Sequence, residues 1–354
     1  MRIALVTETF YPAVDGTTTT LKAVVDRLVD TGHSVRIIAP APGLTSYRGC
    51  DVVRVRPLEP VGAQVRAALD DFAPDLVHVT SPGPLGRKAL KHTHRTGLAS
   101  LVVEQSPVLD QTADYWCAKV AARADHVLVT STWMVDRCRE FGVDVALWRP
   151  GVDSTAFTPS LRDEWLHGSW SRSRSRPVPL VVVGFVGSLH QRHGVRRLAD
   201  LASLPGIRPV IIGDGPQRGW LEERLPGAKL TGTLTTGDLT IALPSLDVLV
   251  HPGEYETCSH VLREAAASGV PTVAPRSGGA TDVVRSLETG LLHAPGDPRA
   301  FLGAVASVVA DPRRSLLGAR ARELALERTW THAVDELVDI MTATNTSARP
   351  VSRL

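Results

Sequence analysis

Four cysteines are all that this chain of 354 residues contains, and Cys50, Cys117, Cys138 and Cys258 stand far apart with no CxxC pair among them. That argues against a disulfide framework or a zinc cluster, and leaves buried or surface thiols in a reducing cytosol as the expectation. Long apolar runs are missing too. A representative one, residues 180–186, is strand-sized, whereas crossing a bilayer as a helix takes about 20 apolar residues. Net charge is small: 39 Lys and Arg against 37 Asp and Glu leave +2, which speaks against nucleic acid as the main partner. Met1 leads straight into an apolar strand with no charged leader, so a cytoplasmic protein without a secretion signal is expected. What the chain does have is 43% hydrophobic residues and a mean hydropathy near zero, over a length that one core rarely supports. Two globular domains are the default. Arginine greatly outnumbers lysine, and Ala, Gly and Pro are abundant; this reads as genome composition rather than function.

Strand and helix signals alternate. Apolar strands are expected at residues 3–8, 35–39, 52–55, 76–80, 101–103 and 127–130, with helices near 18–29, 65–72, 84–95, 112–123 and 132–141. Continuous apolar strands separated by helices predict a parallel sheet covered on both faces. Residues 158–179 break the rhythm with the polar, proline-bounded run SWSRSRSRP, which suits a hinge or surface loop. The alternation then resumes, with strands at 179–186, 209–212, 229–231, 248–250, 272–274 and 291–293. Helices are expected near 194–202, 216–224, 259–268, 298–309 and 312–327, and an amphipathic one at 330–341.

The most informative stretch is residues 252–284, PGEYETCSHVLREAAASGVPTVAPRSGGATDVV. Two glutamates, Glu256 and Glu264, bracket seven residues. Eight positions along a helix turn about 80°, so two helical glutamates would not share a face. They converge on one ligand only if Glu256 lies in the loop before a helix and Glu264 inside it, with Thr257 or Ser259 as candidate N-caps. Free N–H groups at a helix start suit a phosphate, and carboxylates suit sugar hydroxyls. Phosphate and polyol together describe a nucleotide sugar. An ordinary βα unit with two solvated glutamates is the other reading of this spacing.

The E-x7-E spacing with its ASG-VPTVAP-GG flank resembles glycosyltransferase family 4, and within it the transferases that use GDP- or UDP-linked mannose- or glucose-type donors, GDP-mannose-dependent alpha-mannosyltransferases among them. The resemblance covers nearly the whole chain. It implies an α/β fold of the GT-B type: two Rossmann-like, doubly wound domains facing each other across a cleft. Residues 1–157 would bind the acceptor, joined by a crossing helix at about 328–345. Residues 158–178 would be a linker, and 179–327 would bind the nucleotide sugar. The implied activity is retaining, metal-independent transfer of a hexose to a hydroxyl of a small-molecule, glycan or lipid acceptor, with no cofactor beyond the donor. Residue by residue, Glu256 would bind donor-sugar hydroxyls and Glu264 the ribose, while backbone N–H groups of Cys258, Ser259 and His260 would face the sugar or diphosphate. In the opening loop, residues 1–16, Gly16 would let backbone approach the diphosphate, unless it serves only the turn. The loop GDGP contributes Gly213. SPGPLG (residues 81–86) and RPGVD (residues 149–153) match acceptor-side loops; Asp153 there contacts acceptor hydroxyls or caps a turn.

Three departures stand out. Where the family carries G-R-L-x-x-E-K, this chain has GSLHQRH, so Ser188 replaces the arginine and His193 the lysine that neutralise the diphosphate. Charge-assisted hydrogen bonds are worth roughly 1.5–3 kcal/mol each, so losing both without replacement weakens binding by about two to four decades. Arg192, Arg196 or a protonated His193 is a candidate substitute, Arg192 the best placed of them. Where a histidine is usual near the reacting sugar there is Glu104-Gln105-Ser106, which makes Glu104 and Gln105 candidate catalytic or structural groups. Cys258 and Ser259 stand for a usual phenylalanine and glycine. An altered donor or acceptor accounts for this pattern, and so does a degenerate relative that binds without transferring. A nicotinamide oxidoreductase does not, because the opening loop lacks G-x-G-x-x-G.

Overall fold

The computed structural model describes residues 1–13, 15–173 and 177–347. The chain forms two compact units, Met1–Pro150 with Trp330–Leu354, and Gly151–Thr329. Among the described residues no helix is long and apolar enough to cross a membrane.

The first unit is built on strands β1 (Arg2–Thr7), β2 (Ser34–Pro40), β3 (Ser46–Tyr47), β4 (Cys50–Val55), β5 (Leu76–Thr80), β6 (Ala99–Glu104), β7 (His126–Val129) and β8 (Ala146–Leu147). They lie in the order β3-β4-β2-β1-β5-β6-β7-β8, parallel except for the β3–β4 pair. Side chains alternate across the sheet. Ile3 and Leu5 join Leu21, Val24 and Trp148 on one face, while Ala4 and Val6 join Val65, Leu69 and Leu90 on the other. Helices cover both faces, which is why these strands are apolar throughout rather than alternating. The terminal helix Trp330–Ser347 buries Ala333, Val334, Leu337 and Met341 in the first of these cores. Its place is fixed by the Trp148 indole, which donates to the Ala333 carbonyl at 2.7 Å, and by the fork of Arg27 on Asp335 at 2.7 and 2.8 Å.

The second unit has an all-parallel sheet of β9 (Val181–Val186), β10 (Ile207–Ile212), β11 (Lys229–Gly232), β12 (Val248–Val250), β13 (Thr272–Pro275) and β14 (Gly290–His293) in the order β11-β10-β9-β12-β13-β14. The central strands β9 and β12 place the functional loops, residues 187–194 and 251–259, after their carboxyl ends. Open α/β sheets bind ligands there.

Several expectations need correction. The described residues among 158–178, expected as a linker, fall within the second unit, which begins at Gly151. They contain the helix Glu164–Ser171, capped by the Asp163 side chain and anchored by buried Trp170. One tryptophan inside a serine–arginine run carries too little periodicity to announce a helix. Arg174 and Arg176 of that run lie outside the described residues. The segment Val195–Ser203 is 3-10 rather than α-helical. A helix at Thr236–Ala242 and the two-residue strands β3 and β8 went unread because each is short.

The terminal helix packs in the first unit although the second precedes it in sequence. Leu337→Ala should therefore cost about 2–5 kcal/mol, and hydrogen exchange should accelerate in β1 and β6 while β9 and β12 keep their protection. Equal loss in both sheets would contradict this placement.

Candidate active site

Glu256 lies in the loop that follows β12, and Glu264 lies within the helix His260–Ala267, the only placement that reconciles their spacing with a shared ligand. Two glycines fold that loop down. Gly278, at φ +55, has the Glu256 carbonyl 2.6 Å from where a Cβ would sit, and the Gly279 N–H donates to the same carbonyl at 2.6 Å. On the other side Gly194, at φ +69, lies against the Pro252 carbonyl, 2.5 Å from its missing Cβ. A side chain at either position would push the loops apart.

That contact carries His193 to Glu256. The imidazole Nδ1 stands 2.7 Å from Glu256 Oε1, and Arg192 Nε donates to His193 Nε2 at 3.2 Å. With Nε2 accepting, the ring proton belongs on Nδ1, where it donates to the carboxylate. Burial pushes the Glu256 carboxyl up, but the His193 hydrogen bond and the nearby His251, His193 and His260 outweigh it and hold it below its ordinary range. His251 went unassigned in the sequence. It is 5% exposed, both ring nitrogens are buried without a hydrogen-bond partner, and burial lowers its pKa. Its position directly ahead of the signature was the one available signal.

Glu264 is different. No hydrogen bond or ion pair engages its carboxylate among the described residues, and desolvation pushes it up to about 7. Ser259 takes the N-cap place but does not cap. Its backbone is left-handed (φ 51, ψ 46) and its side chain makes no cap bond. The hydroxyl is buried without a partner. The left-handed turn swings the side chain away from the N–H groups a capping serine would reach, so the expected N-cap chemistry fails. Cys258 is buried and His260 partly so.

Of the other second-unit candidates, Ser188 and Arg192 are exposed. Arg196 is committed to Gln217 at 2.8 Å and to the Trp220 ring, so Arg192 remains the available cation beside His193. Gly213 approaches chain rather than ligand space: the Gly187 carbonyl lies 2.0 Å from its missing Cβ, and Leu189 N–H donates to the Asp214 carbonyl at 2.8 Å. The GDGP loop thus shapes the 187–189 turn. Asp153 caps its own turn, accepting from Thr155 Oγ1 at 2.7 Å and from Ala156 N–H at 2.9 Å. It lies in the second unit, not the first.

In the first unit, three separate motifs meet. Gln105 accepts from Thr20 Oγ1 at 2.8 Å, and its N–H donates to Ser81 Oγ at 3.3 Å. Thr20 belongs to the helix Gly16–Asp30, whose first residue is Gly16 and whose cap is Asp15. Glu104 is 4% exposed; it accepts from Ser106 N–H at 3.0 Å and from the Trp116 indole at 2.9 Å. Burial nevertheless pushes its carboxyl up to about 7. Glu8, unread in the sequence, accepts from Gly86 N–H at 2.9 Å and seats the SPGPLG loop. Its carboxyl carbon is 2.6 Å from where Gly83 would carry a Cβ.

The family described as Glycosyltransferase Family 4 matches residues 14–156, and Glycosyl transferases group 1 matches residues 181–311. A GDP-mannose-dependent alpha-mannosyltransferase of Mycolicibacterium smegmatis is 38% identical over 367 aligned residues, 96% of each chain. The chain belongs to glycosyltransferase family 4. It is a glycosyltransferase. A relative from Corynebacterium glutamicum with the same name is 33% identical, spanning 96% of this chain and 88% of its own length. Sucrose-phosphate synthase from Thermosynechococcus elongatus matches this family 4 chain with a TM-score of 0.81 at 20% identity, over 98% of this chain and 99% of that one. Anabaena HepE in complex with UDP matches with 0.81 at 16%, over 97% and 100%. At such identities these structures speak for the fold, two parallel-sheet α/β domains of the GT-B class.

Two outcomes test this site. A carboxyl near 7 in the fold and near 4.5 otherwise makes the folded state bind more protons between those values, so stability falls as pH rises through that window. Glu264→Gln should melt higher than the parent at pH 8, with the gap closing as pH falls toward 4.5; a gap independent of pH would contradict the burial argument. Ser259→Gly should raise stability by about 1–2 kcal/mol in urea unfolding, by relieving a left-handed side-chain-bearing residue. A loss would show that the serine side chain holds the turn.

Proposed function

We propose that this family 4 glycosyltransferase moves a hexose, mannose from GDP-mannose as the first candidate, to a hydroxyl acceptor with retention of configuration and without a metal. The second unit binds the nucleotide sugar and the first the acceptor. The observation that carries this is the Arg192–His193–Glu256 chain of hydrogen bonds at the start of the signature helix. A carboxylate held ionised there suits sugar hydroxyls. The adjoining Arg192 offers the positive charge that Ser188 and His193 do not supply as arginine and lysine would. Glu264, desolvated and without a cation, suits two ribose hydroxyls, which donate hydrogen bonds without bringing charge. The names of the relatives support the choice of GDP-mannose.

In the step itself, the bond from the anomeric carbon to the diphosphate oxygen breaks, and the acceptor oxygen bonds to the same face. The acceptor proton passes to the departing diphosphate oxygen, so no side-chain nucleophile is required. The protein orients both sugars and stabilises charge on the leaving oxygens.

The test is a donor panel of GDP-mannose, GDP-glucose and UDP-glucose, with products read by mass spectrometry. Glu256→Ala should cut turnover by about two to three decades, whereas Glu264→Ala should chiefly raise the Kd for GDP. Near-normal kinetics in both variants would remove the assignment. Tight GDP-mannose binding with neither transfer nor hydrolysis would leave a sugar-nucleotide binder instead.

A further inference from the structure

The first unit holds a cavity of about 240 Å³ whose wall includes Ser81, Gly83, Glu104, Ser106, Thr112 and Trp116. A cavity of about 150 Å³ accepts a benzene-sized ring, so this one has room for a six-membered ring with substituents. Its unusual feature is Glu104. The carboxylate is almost wholly buried; Oε1 accepts from Ser106 N–H and Oε2 from the Trp116 indole, and the Gln105 backbone N–H also lies close to it. All three are neutral donors, and a carboxylate has about four lone-pair sites, so acceptor capacity is left for a ligand. Among the described residues no lysine, arginine or histidine forms an ion pair with it. The nearby cation Arg87 is turned onto the Tyr115 ring and the Pro82 carbonyl. A second carboxylate, Glu8, lies just behind Gly83. Two carboxylates of which the buried one has no counter-ion repel an anionic ligand and favour one that brings positive charge and hydrogen-bond donors.

We propose that this cavity recognises a six-membered ring bearing a protonated amine and a hydroxyl, with Glu104 as the counter-ion to the amine. It rests on the reading that the first unit binds the acceptor only in so far as this ligand is called the acceptor; the binding site stands on its own geometry. If the two coincide, the acceptor is a small amino-alcohol ring rather than a phosphorylated one.

Three probes of one ring size and different charge test it by calorimetric titration of the full chain at pH 8: trans-4-aminocyclohexanol, trans-cyclohexane-1,4-diol and trans-4-hydroxycyclohexanecarboxylate. The amino-alcohol should bind about tenfold more tightly than the diol, and the carboxylate not measurably. Glu104→Gln should bring the amino-alcohol to the level of the diol. Should that variant fail to fold, Thr112→Trp, which fills the cavity from an exposed helix position, should block the amino-alcohol and the diol. Equal affinities for the three probes, no binding of any, tightest binding of the carboxylate, or an amine preference that survives Glu104→Gln would each overturn the proposal. A GDP titration on the same preparation separates the two readings. GDP binding lost with the amine preference intact removes the transferase reading and leaves this one; the reverse removes this one alone.

Discussion

One hydrogen bond organises the second unit: His193 Nδ1 to Glu256 Oε1, at 2.7 Å. It joins the loops after two adjacent central strands, β9 and β12, and it lowers the pKa of a partly buried carboxylate. Desolvation pushes the Glu256 carboxyl up, and this hydrogen bond is the largest of the causes that hold it below its ordinary range. The glycines around it serve that contact, since Gly194 and Gly278 let backbone approach where a Cβ would collide. The departure from the family motif is thereby partly explained. A histidine in the lysine position pairs with the first signature glutamate and accepts in turn from Arg192.

Three glutamates illustrate how surroundings divide one chemical group into different tasks. Glu256, among histidines, is held below its ordinary pKa. Glu264 and Glu104 pair with no cation among the described residues and are raised to about 7. A carboxylate that stays ionised orients hydroxyls by accepting their protons' hydrogen bonds. One poised near neutrality responds strongly to whatever ligand next arrives, because a partner that donates or carries charge tips it to the ionised form.

Much of the architecture was legible along the chain. Apolar runs bounded by turn residues located every sheet strand longer than two residues, because burial on both faces leaves little room for polar side chains. The amphipathic pattern of the terminal helix, Ala333, Leu337 and Met341, marked a packed helix, while its return to the first unit was an expectation from family resemblance. Illegible were features whose signal is short or non-local. Trp170, with the Asp163 cap, holds a packed helix where a linker was expected, and Glu8 reaches Gly86 across 78 positions. Asp153 and Gly213 were motif residues whose partners turned out to be their own turn and the neighbouring loop.

The order of residues by itself determined the two parallel sheets, the loop-and-helix placement of Glu256 and Glu264, and the kinship carried by that signature, because local periodicity and spacing encode these directly. Only the tertiary structure decided which charges survive. Whether His193 neutralises a diphosphate or grips a glutamate, whether Ser259 caps a helix or strains its first turn, and whether Glu104 keeps its proton all depend on distances between segments far apart in the chain. Electrostatic and hydrogen-bond energies vary steeply with such separations, and spacing along the backbone does not report them.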